Sequence, residues 1–350
     1  MPAIDCAKDM RSFHDQNVTL ARSDQSEMHD RRHNGRTRLR TGLEAEEHPL
    51  PQIIASQGSY QMRTMVQDAD NDYDIDDGVY FAMDDLVDTD GAGLSAPQAR
   101  ELVRAALARD KRLDAPATCR TNCVRQDFPT GYHIDVPVYR IVVGDEGDDD
   151  TFELASGDNW VPSDARAVTR WFNGEVRLRN AQGELNQGDS DGSQLRRVTK
   201  LTKKFSRRSA SWKGKTTSGI CITKLAVDHF SASTNGDDEA LRDTWKNIEN
   251  ALSSSTRIEH PIEGSPLLAQ AADGELEFFQ SCLTSALLDL EVLDDEDCDI
   301  ANASTAWDSV FSTTFFSALG KTEREAAATK TTITTSYGDQ VRDDRNGRFG

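Results

Sequence analysis

The chain has no apolar run approaching the roughly 18 residues that a membrane-crossing helix needs. Its opening, Met1-Pro2-Ala3-Ile4-Asp5, lacks the basic-then-apolar character of a secretory leader. Both absences lead us to expect a cytoplasmic protein without membrane contact. Cysteine is scarce, with six residues (Cys6, Cys119, Cys123, Cys221, Cys282, Cys298) scattered over 350, which excludes a disulfide framework and fits reduced thiols. Cys119 and Cys123 are the one close pair, and no second Cys/His pair completes a zinc site, so they read as small hydrophobes near a strand start. Positive charge is in deficit: 40 Lys and Arg stand against 60 Asp and Glu, a net charge of −20. That balance argues against an indiscriminate nucleic-acid binder or a protein held on an anionic membrane. There is no internal repeat of the solenoid or propeller kind.

What is present divides the chain into four stretches. Residues 1–50 are polar and carry Arg31, Arg32, Arg36, Arg38 and Arg40 before Pro49 and Pro51, which reads as a leading helical segment whose basic face pairs with the abundant acids. Residues 51–185 alternate turn, strand and helix signals. In this stretch Ser95 and Gln98 form a capping box ahead of a helix over 95–109, and Cys123–Phe128 and His133–Val143 read as two strands around the turn Pro129-Thr130-Gly131. The acidic run 145–150 reads as a solvated loop, because it lacks the ligand spacing of a calcium loop. Ser163 is expected to cap a helix through Trp171, with a Gly-rich hinge over 173–193. Residues 186–330 read as helical, with apolar spacing near 241–252, 267–293 and 300–319. Residues 331–350 read as a flexible tail ending on glycine. The expected fold class is α+β: a mixed-sheet lobe packed on a C-terminal helical lobe, bilobed with a central cleft.

Asp74-Ile75-Asp76 carries the chemistry. On a strand, residues i and i+2 leave the same face, so both carboxylates converge while Ile75 turns into the core. Paired carboxylates open to solvent suit hard divalent cations that leave room for phosphate oxygens. Asp135, on a strand expected to neighbour the first, supplies a third. Farther on, Gln194–Lys215 holds nine Lys or Arg residues and no acid, a local inversion that calls for an anion. On a helical wheel Arg196, Lys200, Lys203 and Arg207 form one stripe, opposite Leu195, Val198, Leu201 and Phe205.

Four segments in order resemble the motifs of the bacterial cGAS/DncV-like nucleotidyltransferases, most nearly the DncV-like branch: Gln57-Gly58-Ser59-Tyr60-Gln61, Asp74-Ile75-Asp76-Asp77-Gly78-Val79-Tyr80, His133-Ile134-Asp135-Val136-Pro137-Val138-Tyr139 and Gly157-Asp158-Asn159-Trp160-Val161-Pro162-Ser163-Asp164. The resemblance covers roughly residues 50 to 225 and implies a polymerase-β-like catalytic lobe. It implies two Mg²⁺ ions, replaceable by Mn²⁺, held by Asp74, Asp76 and Asp135, with Asp135 also helping to deprotonate the acceptor ribose. It implies that Gln57, Gly58 and Ser59 cradle the donor triphosphate and that Arg125 steadies acceptor phosphates. Asp164 would read a base edge, and Lys203 and Ser218 would touch donor phosphates. Met62 stands where the best-known member has an aromatic residue.

The activity implied is synthesis of a cyclic oligonucleotide, such as cyclic GMP-AMP, from ATP and GTP for anti-phage signalling. Activation by duplex DNA is not expected, and a ubiquitin-transfer-like partner would conjugate Gly350. The alternatives are a linear nucleotidyltransferase acting on RNA, a small molecule or a protein, and a catalytically silent nucleotide-binding module.

Overall fold

The computed structural model describes residues 4–68, 73–110, 115–129, 131–145, 149–182 and 193–319. The expected tail, with Gly350, and the end of the expected hinge lie outside them. Two hydrophobic cores dominate. One is built on a mixed sheet of β1 (Ile53–Ser56), β2 (Tyr73–Ala82), β3 (Thr118–Cys119), β4 (Val124–Asp127), β5 (Tyr132–Val136), β6 (Val138–Val142), β7 (Thr151–Ser156) and β8 (Asn159–Pro162). The strands run in the order β3-β4-β5-β2-β6-β7-β8, with β1 also pairing β2. The central strand β2 is buried along most of its length, and its neighbours β5 and β6 both run parallel to it. Polar residues enter this strand only in its first half, at Asp74 and Asp76 and at the buried Asp77, and its second half is apolar.

His133–Val143, read from sequence as one strand, is two. Pro137 has no N–H to give a ladder, and its carbonyl instead accepts from Val79 N at 2.9 Å. β5 therefore pairs with the first half of β2 and β6 with the second half. The turn after Phe128 does make the expected hairpin, with Arg125 opposite Asp135 in the antiparallel register.

The leading segment serves both cores. Met10 and Phe13 of α1 (Ala7–Phe13) enter the helical core, whereas Met28, Leu39 and Leu43 of α2 (Arg22–Ala45) pack on the sheet. A π-helical turn, His14–Val18, lies between them. The arginine cluster of α2 is largely paired: Arg36 with the buried Asp77 (Nε–Oδ2 2.7 Å), Arg38 with Asp110 (3.0 Å) and Arg31 with Glu27. Helix α4 (Ala96–Ala108) begins at the expected box, the Ser95 N–H donating to Gln98 Oε1 at 2.8 Å.

α5 (Ala165–Gln182) starts later and runs farther than the sequence reading. Its cap is Asp164, whose Oδ1 accepts from Arg166 N and Ala167 N at 3.0 Å each. It continues through Gly174, where a Cβ would meet nothing within 4 Å, because Phe172 and Val176 stay on its buried face. The remaining helices, α6 (Gln194–Ser206), α7 (Gly219–Asp228), α8 (Asp237–Ser254), α9 (Gly274–Asp289) and α10 (Ile300–Phe311), form the second core around Phe205, Trp245, Phe279, Trp307 and Phe311. Each fully buried aromatic of this kind contributes about 1.5–3 kcal/mol of burial. A seam of Met62, Phe172, Val176, Leu195 and Val227 joins α5, α6 and α7 to the segment that follows β1.

Candidate active site

Register brings the acids together. Asp76 lies opposite Asp135 in the β2–β5 ladder, and Asp74 lies opposite His133. All three carboxylates line one cavity of about 340 Å³, together with Gly58, Ser59, Thr64, Lys203, Arg207 and Gly219. Gly58 makes the close fit possible. Its φ is +63°, and a Cβ there would stand 2.2 Å from Asp76 Oδ2, so only glycine lets the loop lie against that carboxylate. Ser59 follows in the short helix α3 (Gly58–Met62), its side chain on the cavity.

The three carboxylates differ in their surroundings. Arg125 holds Asp135 with both forks (Nε–Oδ1 2.7 Å, Nη2–Oδ2 2.7 Å) and reaches Asp74 Oδ1 at 2.9 Å. Its own proton affinity is raised by those contacts. Asp76 accepts no side-chain hydrogen bond among the described residues. Burial, then the charges of Asp135 and Asp74, push its pKa up to about 7. No group of three or more His, Cys, Asp or Glu among the described residues is set to hold a metal ion as it stands. The reason is visible: both oxygens of Asp135 are turned to Arg125. The donor set nevertheless fits a hard divalent cation, and Asp76, half-buried, has no paired cation among the described residues.

Lys203 faces this row from α6. It is 5% exposed and donates to Thr64 Oγ1 at 2.9 Å. Burial, then Arg207, bring its pKa down to about 7. A second cavity of about 610 Å³ runs on from it, shared by Asp74, Lys203, Lys204, Arg207, Lys213 and Ser218. Ser218 caps α7, its hydroxyl accepting from Cys221 N at 3.3 Å.

Two residues singled out in the sequence are used elsewhere. Gln57 is 3% exposed and its amide is locked between Tyr80 Oη and Tyr139 Oη at 3.1 Å each. It shapes the loop from behind without lining the cavity. Asp164 caps α5 and holds Arg170 at 2.9 Å, so both its oxygens are engaged. The fourth motif is a hairpin pinned by the buried Arg100 on Ala155 O and Gly157 O (2.8 and 2.6 Å) and by Trp160 Nε1 on Leu94 O (3.1 Å). Met62 is buried against Phe172 and lines the cavity. Sequence reading missed Thr64, the one hydrogen-bond partner shown for the Lys203 ammonium, since a threonine after a short helix carries no signal of its own.

Residues 53–139 match the family model described as "Cyclic GMP-AMP synthase DncV-like, nucleotidyltransferase domain". The Vibrio cholerae DncV cyclic AMP-GMP synthase in complex with nonhydrolyzable GTP superposes with a TM-score of 0.67 at 18% identity, covering 88% of this chain and 95% of that one. Escherichia coli DncV in its 3'-deoxy GTP bound form gives 0.62 at 18% identity, covering 87% and 94%. The Vibrio cholerae enzyme with the linear intermediate 5' pppA(3',5')pG gives 0.64 at 18% identity, covering 84% and 91%. At such identity the structural likeness speaks to the fold, and the matched segment runs from β1 to β6 and contains all three acids. This chain therefore has the DncV fold over most of its length, and its segment 53–139 matches the DncV-like nucleotidyltransferase domain.

Proposed function

We propose that the protein is a cyclic-oligonucleotide synthase that joins ribonucleoside triphosphates and closes the product into a ring. One observation carries the reading: three acids on adjacent strands share one cavity with a buried lysine and with Gly58 and Ser59. In each step a ribose hydroxyl oxygen bonds to an α-phosphorus, the α–β P–O bond breaks, pyrophosphate leaves, and the hydroxyl proton passes to a carboxylate and then to solvent. Asp74, Asp76 and Asp135 would hold Mg²⁺ or Mn²⁺, which when bound supplies charge neutralisation at the triphosphate. Lys203, with Ser218 and Arg207 along the adjoining cavity, holds the donor phosphates. Gly58 and Ser59 bring backbone close to them. Arg125 moves from Asp135 to the acceptor's phosphates. Catalysis is then mostly positioning and charge complementarity.

On the same proposal the product is a second messenger in anti-phage signalling, made in the cytoplasm. No helix among the described residues is long and apolar enough to cross a membrane. The test is to incubate the protein with all four ribonucleotides and Mg²⁺ and identify products by mass spectrometry. A phosphatase-resistant cyclic product is expected. Open chains or modified acceptors would replace this reading with a linear transferase, and absence of pyrophosphate release would leave only a nucleotide-binding module.

A further inference from the structure

Lys203 is the buried cation of the candidate site, and what holds it is a neutral oxygen. Its ammonium donates to Thr64 Oγ1 at 2.9 Å, the one hydrogen bond shown for it among the described residues. Thr64 is fully buried and lies with Lys203 on the wall of the acidic cavity. A carboxylate in that place would cancel the charge and compete with any phosphate. A hydroxyl fixes the ammonium in position and leaves its charge, and the rest of its N–H donors, for an incoming anion.

The backbone that presents this hydroxyl is costly. Helix α3 opens at Gly58 (φ +63°) and ends at Arg63, which takes the left-handed region at φ +56°, a conformation disfavoured for a residue that carries a Cβ. The reversal lets Arg63 N donate to Tyr60 O (3.1 Å) and Thr64 N to Ser59 O (2.9 Å). Thr64 is thereby tied through its backbone to Ser59 and through its side chain to α6. The chain also crosses between the two cores here: Met65 packs on the sheet core and Val66 enters the helical one. On either side of Thr64 the same helix grips the crossing segment, Arg196 Nε donating to Met62 O (3.2 Å) and Lys204 Nζ to Gln67 O (3.0 Å).

We propose that Thr64 is a positioning residue: it sets the Lys203 ammonium relative to Ser59, so that loop and lysine offer the donor triphosphate one preformed grip. The inference rests on the proposed function and adds to it a residue that acts through Lys203 and touches no reacting atom. A grip set in the empty cleft gains affinity, because the lysine's freedom is given up before the phosphates arrive. Without the hydroxyl, the ligand itself has to fix the ammonium.

A double-mutant cycle separates this role from mere support of the fold. The α,β-methylene analogues of ATP and GTP, which cannot release pyrophosphate, are titrated with Mg²⁺ by calorimetry into the full chain, and denaturant melts are recorded without nucleotide. Thr64→Val should weaken analogue binding about tenfold in the parent chain and leave it nearly unchanged in the Lys203→Met chain. Thr64→Ser should restore it. The nucleotide-free melts should show the same coupling, with Thr64→Val lowering the midpoint more in the parent chain than beside Lys203→Met. Running the cycle again with Thr64→Ala ensures that the fit of valine does not decide the result. Equal losses in both backgrounds, a Thr64→Val chain that binds as the parent does, or no rescue by serine would overturn the proposal and leave the proposed function standing. A parent chain that binds neither analogue would instead overturn the proposed function, and this inference with it.

Discussion

The two walls of the cleft solve opposite problems in the same way. The sheet wall gathers negative charge at Asp74, Asp76 and Asp135, and the α6 wall gathers positive charge at Lys203, Lys204 and Arg207. On each wall one group, the half-buried Asp76 and the buried Lys203, has no ion-pair partner among the described residues. Asp76 is raised to about 7 and Lys203 lowered to about 7.

The signs fix when the strain is felt. A carboxyl whose folded pKa is raised weakens the fold as pH climbs from its unfolded value near 4, and the penalty is complete above 7. A lysine whose folded pKa is depressed weakens the fold fully below 7, and that penalty fades between 7 and its unfolded value near 10.4. Both penalties are near their fullest around neutrality. On the proposed function a nucleoside triphosphate with its cation would remove both at once, so that stability given up in the free protein would be restored by substrate.

The largest effect should come from breaking the sheet wall. Asp76→Asn is expected to reduce nucleotide incorporation by at least about a thousandfold, the loss of roughly 4 kcal/mol of transition-state stabilisation. The same change should stabilise the metal-free protein at pH 8 by a few kcal/mol and leave it unchanged at pH 4. Radiolabelled product formation and denaturant melts check the two halves. Activity that survives the change would remove Asp76 from the metal-holding set, and a variant less stable at pH 8 would deny that its charge is strained.

Breaking the helical wall tests the complementary charge. Above pH 7 the empty cleft holds Lys203 largely neutral, whereas a bound triphosphate needs its ammonium. Binding of the triphosphate with its cation should therefore take up close to one proton at pH 8, through Lys203, and release close to one at pH 6, where Asp76 gives up its own. Calorimetry in buffers of different ionisation heat reads this directly. Lys203→Met should abolish the uptake and weaken donor binding by about 10²-fold; uptake that persists would assign the proton elsewhere.

How far the sequence told this in advance follows from the range of each interaction. Asp74 and Asp76 were legible because their relation is set within one strand, and the capping box of Ser95 and Gln98 because it closes over three residues. Asp135 needed only the expectation that two strands are neighbours. The split of β5 from β6 at Pro137, the run of α5 past Gly174, and the burial of Gln57 between two tyrosines were not legible, since each is decided by partners far along the chain. The same holds for Asp164, where an acid before a helix reads equally as a cap or as a ligand. The arginines of α2 were readable as paired, but which acids they meet came only with the fold.

The smallest effect concerns the one cation already on the acidic wall. Arg125 spans Asp135 and Asp74, and on the proposed function a divalent ion would need the same oxygens, so the two would compete. Arg125→Met should tighten Mn²⁺ binding in the absence of nucleotide by roughly tenfold, the worth of one charge-assisted bond given up. It should also make the metal-free protein less stable, because Asp135 is left buried beside two other acids, and Mn²⁺ should restore the loss. Electron paramagnetic resonance of free Mn²⁺ and melting with and without the ion measure both. If Arg125 were a mere prop for the fold, its loss would lower stability and leave the ion's affinity unchanged or weaker. A gain in affinity together with a loss in stability is the signature of an arginine that stands in for the metal until substrate arrives.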